Sequence, residues 1–308
     1  FDNIQMAISP TDPDIVDVTI ETGAAVNANN IDVAAFDAAA TGTITVTGTG
    51  STLTQAGASE LVVGSNLGTG SGTIDIESGG TLTTGTGTTT IHATGRVNVG
   101  IVGDGTFNAN GPVVVDGGRL NAFTSSEDPD RFNLAAGQTV TASGSTGRVS
   151  IVGPYNLTRG TTFEFNTGAE FSVGLLDVGT SNGDGTLILD GAGTELVVEV
   201  VTAIGNDGGT GNVMVRNQAN ASFDSLFVAD TTAASTVGNL SVETGGTANT
   251  HGVSIATQGG DASGTLTIDG ASSTLTQTGA STLEIGSASG TGTATINVQK
   301  SGVVSPGA

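Results

Sequence analysis

Gly50–Gly80 reads "GSTLTQAGASELVVGSNLGTGSGTIDIESGG", and Ser272–Gly302 reads "SSTLTQTGASTLEIGSASGTGTATINVQKSG". The two stretches align without a gap at an offset of 222 residues, with 17 of 31 positions identical. Text repeated at both ends of one chain points first to a repeat architecture.

Working outward from it, a shorter pattern recurs: Gly, any residue, apolar, any residue, apolar. It appears as GTITV at Gly42, GTIDI at Gly72, GRVNV at Gly95, GRLNA at Gly118 and GRVSI at Gly147. It returns as GTLIL at Gly185, GNVMV at Gly211, GNLSV at Gly238 and GTLTI at Gly264, with ATINV at Ala294 as a degenerate last copy. The first apolar site runs Ile44, Ile74, Val97, Leu120, Val149, Leu187, Val213, Leu240, Leu266, Ile296, and the intervening residue is usually polar. Alternation of period two places one face in a core and one in water, and β-branched residues suit that pleated surface. The wide gap between Gly147 and Gly185 is read as hiding a poor copy near Ala169, AEFSV.

Each unit carries further strand text, as in ITV, STLTQ and LVVG after Gly42. Gly, Asn, Asp and Ser fill the gaps and supply turns. The expectation is an all-β fold: a parallel β-solenoid with three short strands per coil of about 23–30 residues, stacked at about 4.8 Å. About ten coils would make a rod of roughly 50 Å. No helical stripe is present, and a β-sandwich, the rival fold, does not require self-similar text. Residues 41–308 are assigned to the solenoid, with a polar loop insertion near 124–131. Residues 1–40 lack a clean repeat and are read as an N-terminal cap or a strand-donating arm, "IVDVTI" being its strand.

Composition bounds function. The chain of 308 residues has 50 Gly, no Cys, seven Lys and Arg together, and a net charge of -22. Disulfides, thiolate chemistry and Cys-ligated metals are therefore excluded. Nucleic acid and anionic membrane surfaces are disfavoured, because both call for basic residues. No run of about 18 apolar residues offers a membrane-spanning helix. The start at Phe1 rather than Met is read as a mature secreted chain after loss of a signal peptide. Sequons at Asn156, Asn220 and Asn239 permit glycosylation in that setting.

The wording "GTLTIDGASSTLTQTGASTLEIGSASGTGTATI" resembles the β-strand repeats of bacterial autotransporter passengers and related surface proteins. That resemblance covers 42–84 and 185–302 well and 95–184 loosely. It implies an exported, cell-surface β-solenoid and no particular activity, since such passengers serve as adhesins, stalks and enzyme carriers.

No catalytic, cofactor or metal residues are assigned. His92 and His251 lack spaced partners. Acid groups at Asp12/Asp14/Asp17 and Glu127/Asp128/Asp130 are the candidates for a carbohydrate-active enzyme, with Arg131 the one nearby base and Tyr155 the one tyrosine. Weak calcium binding is conceivable at "GNDGGTGN" (Gly205–Asn212) or "GGDASGTL" (Gly259–Leu266), which share the composition of calcium-binding nonapeptides but not their spacing. Threonine rows such as Thr41–Gly50 are too irregular for ice binding. The functional expectation is a secreted, non-enzymatic structural protein of the cell surface, a filament or stalk subunit whose partners are copies of itself, head to tail. The alternatives are an adhesin passenger fragment, recognisable by an exposed aromatic or basic patch, or a carbohydrate-active β-helix enzyme.

Overall fold

The structure, a computed structural model, describes the chain except at residues 1, 7–14, 35–39, 66–67, 126–130, 182, 234, 259, 279–281, 287–290 and 306–308. The described residues form strands and turns with no helix, and the strand ladders are parallel throughout. This is the parallel β-solenoid that the repeats predict. Contacts divide the chain into two compact units, Phe1–Gly153 and Pro154–Ala308.

In the first unit each coil contributes three separate strands to three sheets. The motif strands Thr41–Thr47, Ser71–Glu77, Gly95–Val99 and Arg119–Phe123 stack in one sheet, followed by Arg148–Val152. Their register is that of the text: Ile44 opposes Ile74, Ile74 opposes Val97, Val97 opposes Leu120 and Leu120 opposes Val149. These side chains are buried and fill the coil interior. A second sheet holds Thr52–Gln55, Thr81–Thr83 and Thr106–Ala109, and a third holds Leu61–Val63, Thr89–His92 and Val113–Asp116.

The N-terminal stretch joins these sheets. Asn3–Met6 pairs with Asn30–Val33, Ile15–Ile20 with Thr41–Thr47, and Ala25–Ala28 with Thr52–Gln55. The four strands within residues 3–33 thus build a first turn whose inner sites the repeat text does not announce.

In the second unit each coil has one strand of six or seven residues and one long strand of nine or ten that bends. Glu170–Val178, Glu195–Ile204, Asn220–Val228 and Thr247–Ile255 form the bent ladder. A β-bulge breaks its register between Val173 and Leu175 and between Val198 and Val201. The extra residues turn outward, which leaves Val200 53% exposed amid a buried ladder.

The column of motif strands here begins at Thr161–Asn166, where Phe163 opposes Leu187 and Phe165 opposes Leu189. AEFSV lies in the bent strand Glu170–Val178, and it is TTFEFN that opposes the copy at Gly185. The alternation of AEFSV is right, but its register is with Glu195–Val198. Phe163, Phe165 and Phe171 are fully buried, and the last two stack with ring centroids 4.9 Å apart. Such a pair contributes about 0.5–1.5 kcal/mol beyond its burial.

The repeated words have local causes. The serine of STLTQ caps a corner: buried Ser51 Oγ accepts a hydrogen bond from Gly23 N–H at 3.0 Å. Ser273 Oγ does the same for Gly245 N–H at 3.0 Å and donates to the Asp269 carbonyl at 2.8 Å. The glutamine is buried as well, and Gln55 Nε2 donates to the Ser59 carbonyl at 2.9 Å. The motif glycine marks close backbone approach. A Cβ on Gly211 would lie 2.0 Å from the Val178 carbonyl oxygen, a distance no side chain tolerates.

Candidate functional site

Two places in the second unit depart from a plain stack of coils. The first is an open groove on the outer surface of the bent ladder, lined by Leu175, Asp177, Val201, Ala203, Phe227 and Asp230. Asp177, Ala203 and Phe227 occupy one outward column of that ladder. Burial, with the charge of Asp207 second, pushes the Asp177 carboxyl up to about 6. Asp230 is held by Thr257, whose backbone N–H and Oγ1 both donate to its Oδ1, at 2.7 and 2.5 Å. The groove can thus hold a proton close to neutral pH. Nothing in the strand text singled out Asp177, which sits at an ordinary outward position.

The second place is the last turn. Thr293–Gln299 pairs with Ser263–Asp269, and Val303–Ser305 with Thr274–Gln277. Among the described residues neither has a further strand on its other side. The interior columns are consequently open to solvent. Ile268 is 0% exposed, yet Val298, its partner in register, is 49% exposed; Ile255 is likewise 0% exposed and its partner Ile285 51%. In the other unit Val18, in register with the buried Ile44, is similarly 37% exposed.

The residues singled out by sequence fall apart in space. Ile15–Ile20, offered as a strand for donation, is engaged with Thr41–Thr47 of its own chain. Asp17 lies exposed on that strand, while Asp12 and Asp14 fall outside the described residues. Glu127, Asp128 and Asp130 also fall outside them. Arg131, the base beside those acids, is occupied structurally: its Nη2 donates to Asp104 at 2.6 Å and its Nη1 to the Phe123 carbonyl at 3.0 Å. Tyr155 is buried against Phe163, with ring centroids 5.3 Å apart, and presents no sugar platform.

Both histidines meet an aspartate from the neighbouring coil. His92 Nδ1 lies 3.2 Å from Asp116 Oδ2, and His251 Nδ1 lies 2.7 Å from Asp224 Oδ1. His251 and Asp224 sit where the bent strands turn, which accounts for their exposure. In the two calcium-like segments, Asp207 occupies a turn at φ +49° and Asp261 accepts from Thr291 Oγ1. Among the described residues no group of three or more His, Asp or Glu side chains could hold a metal ion. Of the sequons, Asn156 and Asn220 are exposed, whereas Asn239 is half-buried and donates to Asn212 Oδ1 at 3.0 Å. No described helix is long and apolar enough to cross a membrane. Compared with known proteins, the chain matches no family model, no curated protein and no solved structure.

Proposed function

We propose that this chain is a non-enzymatic structural element of an exported bacterial surface, extended by end-to-end stacking of its coils on further copies. The observation that carries the reading is the uncovered last turn. Val298 and Ile285 stand in register with the fully buried Ile268 and Ile255, and their strands leave one row of backbone donors and acceptors unpaired among the described residues. A parallel edge of this kind is a template for another strand, and the uncovered Ile15–Ile20 strand offers a matching β surface. A contact of one end on the other is heterologous and need not close, so it propagates as a fibre. The exported setting rests on the resemblance to passenger repeats and is compatible with the exposed sequon residues Asn156 and Asn220.

The test is sedimentation with electron microscopy over a concentration series. Intact protein is expected to form linear oligomers, and the double variant Val298→Lys, Ile285→Lys to sediment as a folded monomer. A wild-type chain that stays monomeric at its highest soluble concentration overturns the proposal.

A further inference from the structure

Three of the seven basic residues share one position of the motif, and the register makes that a column. Arg96 opposes Arg119, and Arg119 opposes Arg148, on successive strands of the first unit. All three are exposed. With parallel strands about 4.8 Å apart, the column spans about 10 Å. Like charges placed directly opposite one another destabilise a sheet. Arg131, Arg216 and Lys300 are each neutralised by a carboxylate, that of Asp104, Asp190 and Asp269 respectively. Arg96 and Arg119 form no ion pair with any described residue, although the chain carries 29 acidic side chains.

The surroundings are those of a binding strip. Two residues along each strand runs an amide row, in which Asn98 Nδ2 donates to Asp75 Oδ1 at 2.7 Å and Asn121 Nδ2 to Asn98 Oδ1 at 2.8 Å. Beyond it, Phe123 opposes Val152, which is 51% exposed. On the other side an open groove is lined by Arg96 and Arg119 with the hydroxyls of Thr69, Ser71, Thr73 and Thr94.

We infer that this column is a docking strip for a linear acidic polysaccharide, its uronate or sulfate groups lying against successive guanidinium groups. A guanidinium offers a planar fork of donors that matches a carboxylate or sulfate bidentately, and the strand spacing repeats that fork at fixed intervals. The hydroxyl-bearing residues of the groove fit sugar hydroxyls, and the Phe123–Val152 patch fits the C–H face of a ring. A strip one residue wide suits a single flexible chain. A duplex or an anionic bilayer would bring many more negative charges against a protein of net charge -22. The strip lies on the outward face of its sheet and is independent of stacking at the ends.

The test is binding of the full chain to polygalacturonate and to dextran sulfate at low and moderate salt, with neutral dextran and oligo-dT as controls. At least one acidic glycan is expected to bind with an affinity that falls as salt rises, and the two polymers separate a uronate preference from a sulfate preference. The triple variant Arg96→Gln, Arg119→Gln, Arg148→Gln is expected to lose at least tenfold in affinity and most of the salt dependence. Its melting temperature should not fall, because like-charge repulsion is relieved. The Arg→Lys triple variant keeps the charge and loses the fork, and should fall between wild type and the Gln variant. Arg216→Gln, on the second unit, should bind as wild type. No binding to either acidic glycan, undiminished binding by the Gln variant, or tighter binding of oligo-dT than of both glycans overturns the inference.

Discussion

The two units solve one packing problem with different connections. In the first, five residues, Ala56–Glu60, separate Gln55 from Leu61, and the chain makes two distinct strands with a corner between them. In the second, a single residue, Asp224, separates Phe223 from Ser225, and the two segments fuse into one strand bent at a bulge. The last turn returns to the first pattern: Thr274–Gln277 and Leu283–Ile285 pair with the two halves of the one strand Thr247–Ile255. The lesson is that the interior columns are the invariant. Linker length changes how the backbone passes between them without altering which side chains are buried.

The strongest way to break this comparison is to charge a column. Val215→Asp in the second unit and Ile74→Asp in the first each place an unpaired carboxylate at a fully buried site, at a cost of several kcal/mol. Hydrogen exchange should show protection lost across the strands that pair with the altered one. Unchanged melting of either variant would remove that residue from the interior.

Next comes Phe163→Ala, which empties an aromatic cluster with no counterpart of that size in the first unit's motif column. A loss of about 3–5 kcal/mol is expected by denaturant titration. Corners come third. Gly205 has φ +71°, and a Cβ there would meet the Val237 carbonyl oxygen at 2.2 Å, whereas Ala229 holds the corresponding corner of the next coil at φ +50°. Gly205→Ala should cost about 1–3 kcal/mol, and Ala229→Gly much less.

A smaller effect sharpens the linker argument directly. Inserting Ala-Gly-Ala-Ser after Asp224 should split the bent strand as in the first unit, with a loss near 1 kcal/mol or below, since loop closure depends only weakly on length. A large loss would mean that the bulge itself carries stability.

The smallest effect concerns the groove. With its folded pKa raised from 3.8 to about 6, Asp177 binds its proton more tightly in the folded chain. Its contribution is fully present below about pH 4 and is lost as pH rises through about 6. Asp177→Asn should therefore match wild type near pH 4 and exceed it in melting temperature at pH 7. Parallel pH–stability curves would show that burial does not perturb this carboxyl.

Much of the fold was legible because a solenoid writes its register into its text. Matching Ile44 to Ile74 and Leu240 to Leu266 by eye is the same operation that strand pairing performs. The arginine column was legible in the same way, as the second letter of GRVNV, GRLNA and GRVSI, although only its stacking gives the row a chemical meaning. Reading was incomplete where alternation alone is ambiguous. AEFSV and TTFEFN alternate equally well, and only pairing with Gly185–Asp190 selects the second. It was incomplete again at the strands within residues 3–33, where Ile4 and Met6 alternate inward but no copy of the Gly-led motif marks them.

By itself the sequence determined the all-β class, the coil length, the inward columns and the turn-forming corners, because each is local or periodic. Tertiary structure decided which segments fuse into a bent strand, where the column of the second unit begins, how far Asp177 is desolvated and which arginines stand side by side. Those depend on which residues of distant coils lie within one strand spacing of each other, and spacing along the chain does not encode that distance.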